Sequence, residues 1–120
     1  SMYTIAKKFQ FSAAHHLPHL PESHPCRRHH GHNYLVEVIL RADRLDSYDF
    51  VVDYGELRAL KDFIDTTLDH QDLNDVLPCY TTAENIACFL YRWCKQRWYQ
   101  TYAVRVSETP NTYAEYTEDA

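Results

Sequence analysis

The chain holds two glycines in 120 residues, Gly31 and Gly55. A P-loop and a dinucleotide-binding turn both need several glycines at fixed offsets, so neither can be built here. That removes most nucleotide-binding α/β folds. The hydrophobic fraction of 45% and charged fraction of 24% suit a folded globule, and the length suits one domain spanning residues 1–120. A net charge of −5 argues against the nucleic acid backbone as the partner. A small anionic substrate needs only a local basic pocket and stays open.

Period-2 alternation marks residues 3–12, with Tyr3, Ile5, Phe9 and Phe11 on one face, and residues 33–42, with Tyr34, Val36, Val38 and Leu40 on one face. Residues 17–29 carry Pro18, Pro21 and Pro25 and read as a loop. Residues 43–49 read as a charged turn and 50–53 as a short strand. Asp53 then N-caps a helix whose Leu57, Leu60, Ile64 and Leu68 recur at helical spacing. Residues 69–80 read as loop. A second capping box at Thr81–Glu84 opens a helix to about residue 99, with Ile86, Phe89, Leu90, Trp93 and Cys94 inward. Strands follow at 102–108, with Tyr102, Val104 and Val106 on one face, and at 112–117. A strand run, a helix pair and another strand run predict an α+β fold, with helices on one face of an antiparallel sheet.

Seven of the eight histidines lie between His15 and His32. In His30-Gly31-His32 the two imidazoles point to one side of an extended chain, and Gly31 leaves room between them. If the first two strands pair as a hairpin, His15 lies near the start of the second. Three neutral imidazoles converging there would hold a metal, Zn2+ by their donor type, with one position open for water or substrate. His16, His19, His24 and His29 compete for the same role on pattern alone.

Cys26 sits in a polar loop beside Arg27 and Arg28, positive neighbours that suit a base or nucleophile. It reads equally as a zinc ligand or an inert loop thiol. Cys88 and Cys94 fall inside the second helix and read as core. Four cysteines, Cys79 among them, are too few for a disulfide scaffold, so free thiols are expected. Asp69-His70 is a carboxylate beside an imidazole, useful only if the fold turns the two together. Glu108 ends a strand, where carboxylates are usually solvated. No apolar run is long enough to span a bilayer, and no signal-peptide pattern opens the chain. Ser1 before Met2 reads as a cloning remnant, and a cytoplasmic protein is expected.

Five ordered fragments carry a resemblance over nearly the whole chain. They are Phe11-Ser12-Ala13-Ala14-His15, Cys26 through His30-Gly31-His32-Asn33, Leu68-Asp69-His70, Thr82-Ala83-Glu84-Asn85 and Val106-Ser107-Glu108-Thr109. Together they resemble the 6-pyruvoyl-tetrahydropterin synthase family. The short Cys26-x-x-x-His30 spacing is similar to its 6-carboxytetrahydropterin synthase branch, of queuosine and 7-deazapurine synthesis. The resemblance implies the tunnelling fold: a four-stranded antiparallel sheet with two helices on one face, assembled into rings and here expected as a hexamer of two trimers. The residue reading holds one strand more.

The resemblance further implies zinc on His15, His30 and His32, with Cys26 as catalytic base. Asp69 and His70 would complete its proton relay. Glu108 would anchor a pterin, and Thr82 would line the pterin pocket. One departure is the segment Tyr80-Thr81-Thr82, where the bacterial branch often has proline before its threonine; Thr81 can still serve as N-cap. The implied reaction converts 7,8-dihydroneopterin triphosphate to 6-carboxy-5,6,7,8-tetrahydropterin, releasing acetaldehyde and triphosphate. The alternatives are the pyruvoyl or sepiapterin product, or a non-catalytic zinc-stabilised interaction module. Lys7, Arg27 and Arg28 are candidates for the triphosphate.

Overall fold

A computed structural model describes residues 1–118. Four strands form one antiparallel sheet in the order β1 (Tyr3–His15), β2 (His30–Ala42), β3 (Thr101–Ser107) and β4 (Ala114–Tyr116). The helical segments pack over the apolar face, and the fold class expected from the sequence holds. Tyr34, Val36, Val38 and Leu40 of β2 are all buried, as the alternation requires.

Helix α1 (Arg58–Phe63) is entered through a 3-10 turn, Tyr54–Leu57, and left through a π-helical turn, Ile64–Leu68. Asp53 caps this stretch by accepting from Gly55 N–H at 2.8 Å. Leu57, Leu60, Ile64 and Leu68 are buried, the apolar stripe that drives the segment onto the sheet. Helix α3 (Ala83–Arg97) buries Ile86, Ala87, Leu90, Tyr91 and Cys94. Burial pushes the Cys94 thiol pKa up to about 12, in keeping with an inert core residue.

Four details depart from the pattern reading. Residues 50–53 form no strand: Asp46 folds the chain back by accepting from Tyr48 and Phe50 N–H, and Val51 and Val52 enter the core unpaired with any ladder. The sheet therefore has four strands. The segment 69–80 holds a short helix, α2 (Leu73–Val76), which Asp72 caps by accepting from Asn74 N–H at 3.0 Å. Tyr102 leaves the inward face. Ile39 pairs with Ala103 but Leu40 with Thr101, so Tyr102 is the extra residue of a bulge. Its ring turns outward under the Arg41 guanidinium, 3.7 Å from the ring centroid. Finally, Thr82 caps α3, not Thr81: the Thr82 hydroxyl accepts from Asn85 N–H at 3.2 Å.

Candidate active site

The hairpin register sets the site. β1 and β2 pair residue for residue, with His15 opposite His30 and Ala13 opposite His32. His30 and His32 lie two apart on one strand face, and His15 reaches the same spot from the neighbouring strand. The three ring centroids are separated by 4.5, 4.9 and 5.1 Å. One nitrogen from each ring falls within 4.8 Å of the others.

Hydrogen bonds behind the rings fix what they present. His15 Nδ1 lies 2.9 Å from the Thr81 carbonyl, and His30 Nδ1 lies 2.7 Å from the Arg28 carbonyl. A carbonyl only accepts, so in each neutral ring the proton sits on Nδ1 and Nε2 carries a bare lone pair. Those two Nε2 atoms face each other at 3.0 Å. The Glu108 carboxylate adds an acceptor, with Oε2 3.5 Å from His15 Nε2 and 3.7 Å from His32 Nε2. Lone pairs converging with no donor between them repel, and a cation relieves the repulsion. The donor set is imidazole nitrogen, which suits zinc.

Burial, with further contributions from His30, His32 and His16, lowers the His15 pKa to about 4, opposed by the hydrogen bond His15 donates to the Thr81 carbonyl. His32 is also lowered, chiefly by burial. Neutral imidazoles are the ligating form, so the site is poised for a metal near neutral pH.

Two clefts meet at Gly31, His32 and Asn33. One, of about 480 Å3, is lined by Tyr34, Ser107, Glu108 and Thr109 as well. The other, of about 500 Å3, is lined by Ser12, His70, Gln71 and Asp72. Burial, and then the charge of Glu108, raises the Tyr34 phenol well above its ordinary value.

The Asp69–His70 pair is turned together. His70 Nδ1 lies 2.8 Å from Asp69 Oδ2, while Asp69 Oδ1 accepts from Ser12 N–H at 2.9 Å. That bond and the His70 contact hold the Asp69 carboxyl below its usual range. His70 takes a left-handed backbone, φ 60°, and its N–H donates to Ser12 O at 2.6 Å. Its side chain is 81% exposed, free to meet a ligand in the cleft.

Cys26 lies on a 3-10 turn, Pro25–Arg27, and its sulfur stands outside the three-histidine group. The Arg27 guanidinium donates to the Pro18 and Leu20 carbonyls at 3.2 and 2.9 Å, stapling the loop. Lys7 lines a different cleft with Lys61 and Asp65. The competing histidines lie outside that group: the His16 and His29 rings lie tilted against each other, His19 stacks with Tyr80, and His24 accepts from Cys26 N–H. Thr82 spends its hydroxyl on the helix cap and lines neither cleft of the isolated chain. Pattern reading missed Thr81 behind His15, and Ser12, whose backbone holds Asp69 and whose hydroxyl donates to Asn33 at 2.7 Å. No spacing rule could have found them, because both contacts cross long stretches of chain.

The fold and site define an α+β protein with a three-histidine group able to hold a metal ion at the end of its sheet, opening onto clefts that carry a carboxylate and an Asp–His pair. The sequence model of the 6-pyruvoyl tetrahydropterin synthase family matches residues 4–119, and the chain belongs to that family. It is 38% identical over 96 residues to the 6-carboxy-5,6,7,8-tetrahydropterin synthase of Synechocystis sp., covering 75% of this chain and 73% of that one. The Haemophilus influenzae protein of the same name is 30% identical, over 98% of this chain and all of its own length. In structure it is similar to the Caenorhabditis elegans 6-pyruvoyl tetrahydropterin synthase, at a TM-score of 0.86 and 26% identity, covering 99% of this chain and 97% of that one. Among the described residues no helix is long and apolar enough to cross a membrane.

Proposed function

We propose that the protein converts 7,8-dihydroneopterin triphosphate and water to 6-carboxy-5,6,7,8-tetrahydropterin, acetaldehyde and triphosphate, with zinc at His15, His30 and His32. The observation that carries this reading is the convergence of bare imidazole lone pairs beside a carboxylate-lined cleft. The names of the similar proteins from Synechocystis sp. and Haemophilus influenzae support the product. When bound, zinc makes hydroxyl-bearing carbons of the substrate side chain more acidic.

The roles of the chain's own groups follow from their chemistry. Cys26 takes a proton from the side chain as general base. His70, oriented by Asp69, returns one. Glu108 accepts from adjacent N–H groups on the pyrimidine edge of the pterin, a charge-assisted two-point contact. Thr82, at the start of α3, borders the pterin in the assembled protein. That assembly is a homo-oligomer, a hexamer of two trimers, in which Glu108 lines a pocket between subunits. Exposed Tyr3, Tyr54 and Tyr113 supply amphipathic surface for such contacts. The protein works in the cytoplasm.

Mass spectrometry of the products formed from 7,8-dihydroneopterin triphosphate by zinc-loaded protein tests the reading. Acetaldehyde and 6-carboxytetrahydropterin in equal amounts are expected. A 6-pyruvoyl product without acetaldehyde would move the protein to the activity named for its Caenorhabditis elegans structural neighbour. No turnover with zinc fully bound would favour the interaction module.

A further inference from the structure

Cys79 and Cys88 have no part in the site described above. The sequence reading sets Cys88 in the core, but in the fold only Cys94 among the cysteines is buried, and Cys79 and Cys88 are half-buried. Both line one cleft of about 480 Å3, together with Asn85, Phe89, Arg92 and Trp93. It lies on the side of α3 away from the buried stripe of Ile86, Leu90 and Cys94.

A specific contact brings the two thiols to that cleft. Asn85 lies three residues before Cys88, on the same helical face. Its side-chain amide donates to the Tyr80 carbonyl at 2.9 Å, and its N–H donates to the Thr82 hydroxyl at 3.2 Å. The chain before α3 is thus folded back along the first turns of the helix, and Cys79, next to Tyr80, meets the face that carries Cys88. The two groups sense each other: burial, and then the charge of Cys88, pushes the Cys79 thiol above its ordinary range. Arg92, one turn beyond Cys88, brings its guanidinium charge to bear on the Cys88 sulfur. Attack on a disulfide needs access and a thiolate, which a neighbouring guanidinium favours. Cys88 has both. Cys79, held protonated, suits the second step, in which its partner is presented within the same chain.

We infer that Cys79 and Cys88 are a reversible dithiol–disulfide pair that exchanges with low-molecular-weight disulfides of the glutathione disulfide class. The Cys88 sulfur attacks one sulfur of the small disulfide, forming a mixed disulfide and releasing one small thiol, which takes the Cys88 proton. The Cys79 sulfur then attacks Cys88 Sγ, forming the protein disulfide and expelling the second small thiol with the Cys79 proton. Two protein thiols are oxidised, and one small disulfide is reduced to two thiols. Excess small thiol runs both steps backward. The pair stands outside the three-histidine group and the two clefts that meet there, so its chemistry is independent of the reaction proposed above.

The test equilibrates the zinc-loaded protein in glutathione buffers stepped from reduced to oxidised and traps the remaining thiols with N-ethylmaleimide before digestion and mass spectrometry. Trypsin leaves both cysteines in one peptide, Asp62–Arg92, and a second cut after Glu84 separates its halves unless a disulfide joins them. The joined form should grow as the buffer is made more oxidising and fall by at least about tenfold when reduced glutathione is restored. Cys88→Ser should abolish it while zinc stays stoichiometric. Should that variant not fold, Arg92→Gln changes an exposed side chain and should slow formation of the joined form by about threefold or more. No joined form at any buffer ratio overturns the pair, as does a glutathione adduct that accumulates on Cys88 without passing to Cys79. An unchanged rate in Arg92→Gln overturns Cys88 as the attacking thiol.

Discussion

Thr81 decides which nitrogen of His15 faces His30: its carbonyl, 2.9 Å from Nδ1, holds the proton there and leaves Nε2 bare. Its hydroxyl lies 3.0 Å from the same nitrogen. Thr81→Val removes the hydroxyl and keeps the carbonyl, so the tautomer should survive. Zinc affinity, read by chelator competition, should drop by less than about tenfold, the low end for an outer partner. His30→Ala should lose zinc and activity together.

Cys26→Ala should keep stoichiometric zinc, measured by elemental analysis, and lose turnover by about 100-fold or more, the usual scale for a general base. Zinc lost along with the thiol would turn Cys26 into a ligand and favour the interaction module.

Metal-free protein should lose stability as pH falls from about 6.5 to about 4. His15 has its folded pKa lowered to about 4, so over that window the unfolded chain binds the extra proton. The loss is complete only below the folded value, and its size is on the order of 3 kcal/mol at most. Chemical denaturation of the apoprotein at several pH values measures it. In His15→Gln the slope over this window should flatten.

Asp69 behaves in the opposite sense. Its folded pKa lies below the unfolded one, held there by Ser12 N–H and His70. Its contribution is present above the unfolded value, near 3.9 for an ordinary aspartate, and is lost as pH falls through the folded value. Asp69→Asn should therefore weaken the acid limb of the melting-temperature profile below about pH 4. At neutral pH it should slow turnover while leaving pterin affinity within about threefold, as the proton-transfer role proposed for the pair requires.

Glu108→Gln should weaken binding of a pterin ligand by about 2–3 kcal/mol, because an amide presents a donor where the pterin also donates. Isothermal titration with a non-reacting pterin measures this. Unchanged affinity would remove Glu108 from the anchor role.

The hairpin and both major helices were legible because each carries a period over ten or more residues, and strand pairing offered the His15–His30–His32 group while leaving His16, His19, His24 and His29 in competition. What pattern could not reach was local or long-range. Asp46 turning the chain into Val51 and Val52 depends on one side chain satisfying two backbone donors. The Tyr102 bulge depends on a single skipped partner, which leaves no mark on the alternation except at its edge. The choice between Thr81 and Thr82 as helix cap was settled by His15, 66 residues from Thr81, which draws in the first threonine and leaves the second for the helix. The closeness of Glu108 to His15 and His32 likewise appears only once the third strand is laid beside the second.

The left-handed backbone at His70 sets two kinds of selection against each other. A glycine there would adopt φ 60° without steric cost and keep the N–H that meets Ser12. It would also delete the imidazole. Selection for heat tolerance alone would favour losing the side chain, while the proton-transfer role proposed for it would favour retaining it. On the role proposed for His70, glycine at position 70 would mark a descendant that kept the architecture and abandoned the chemistry.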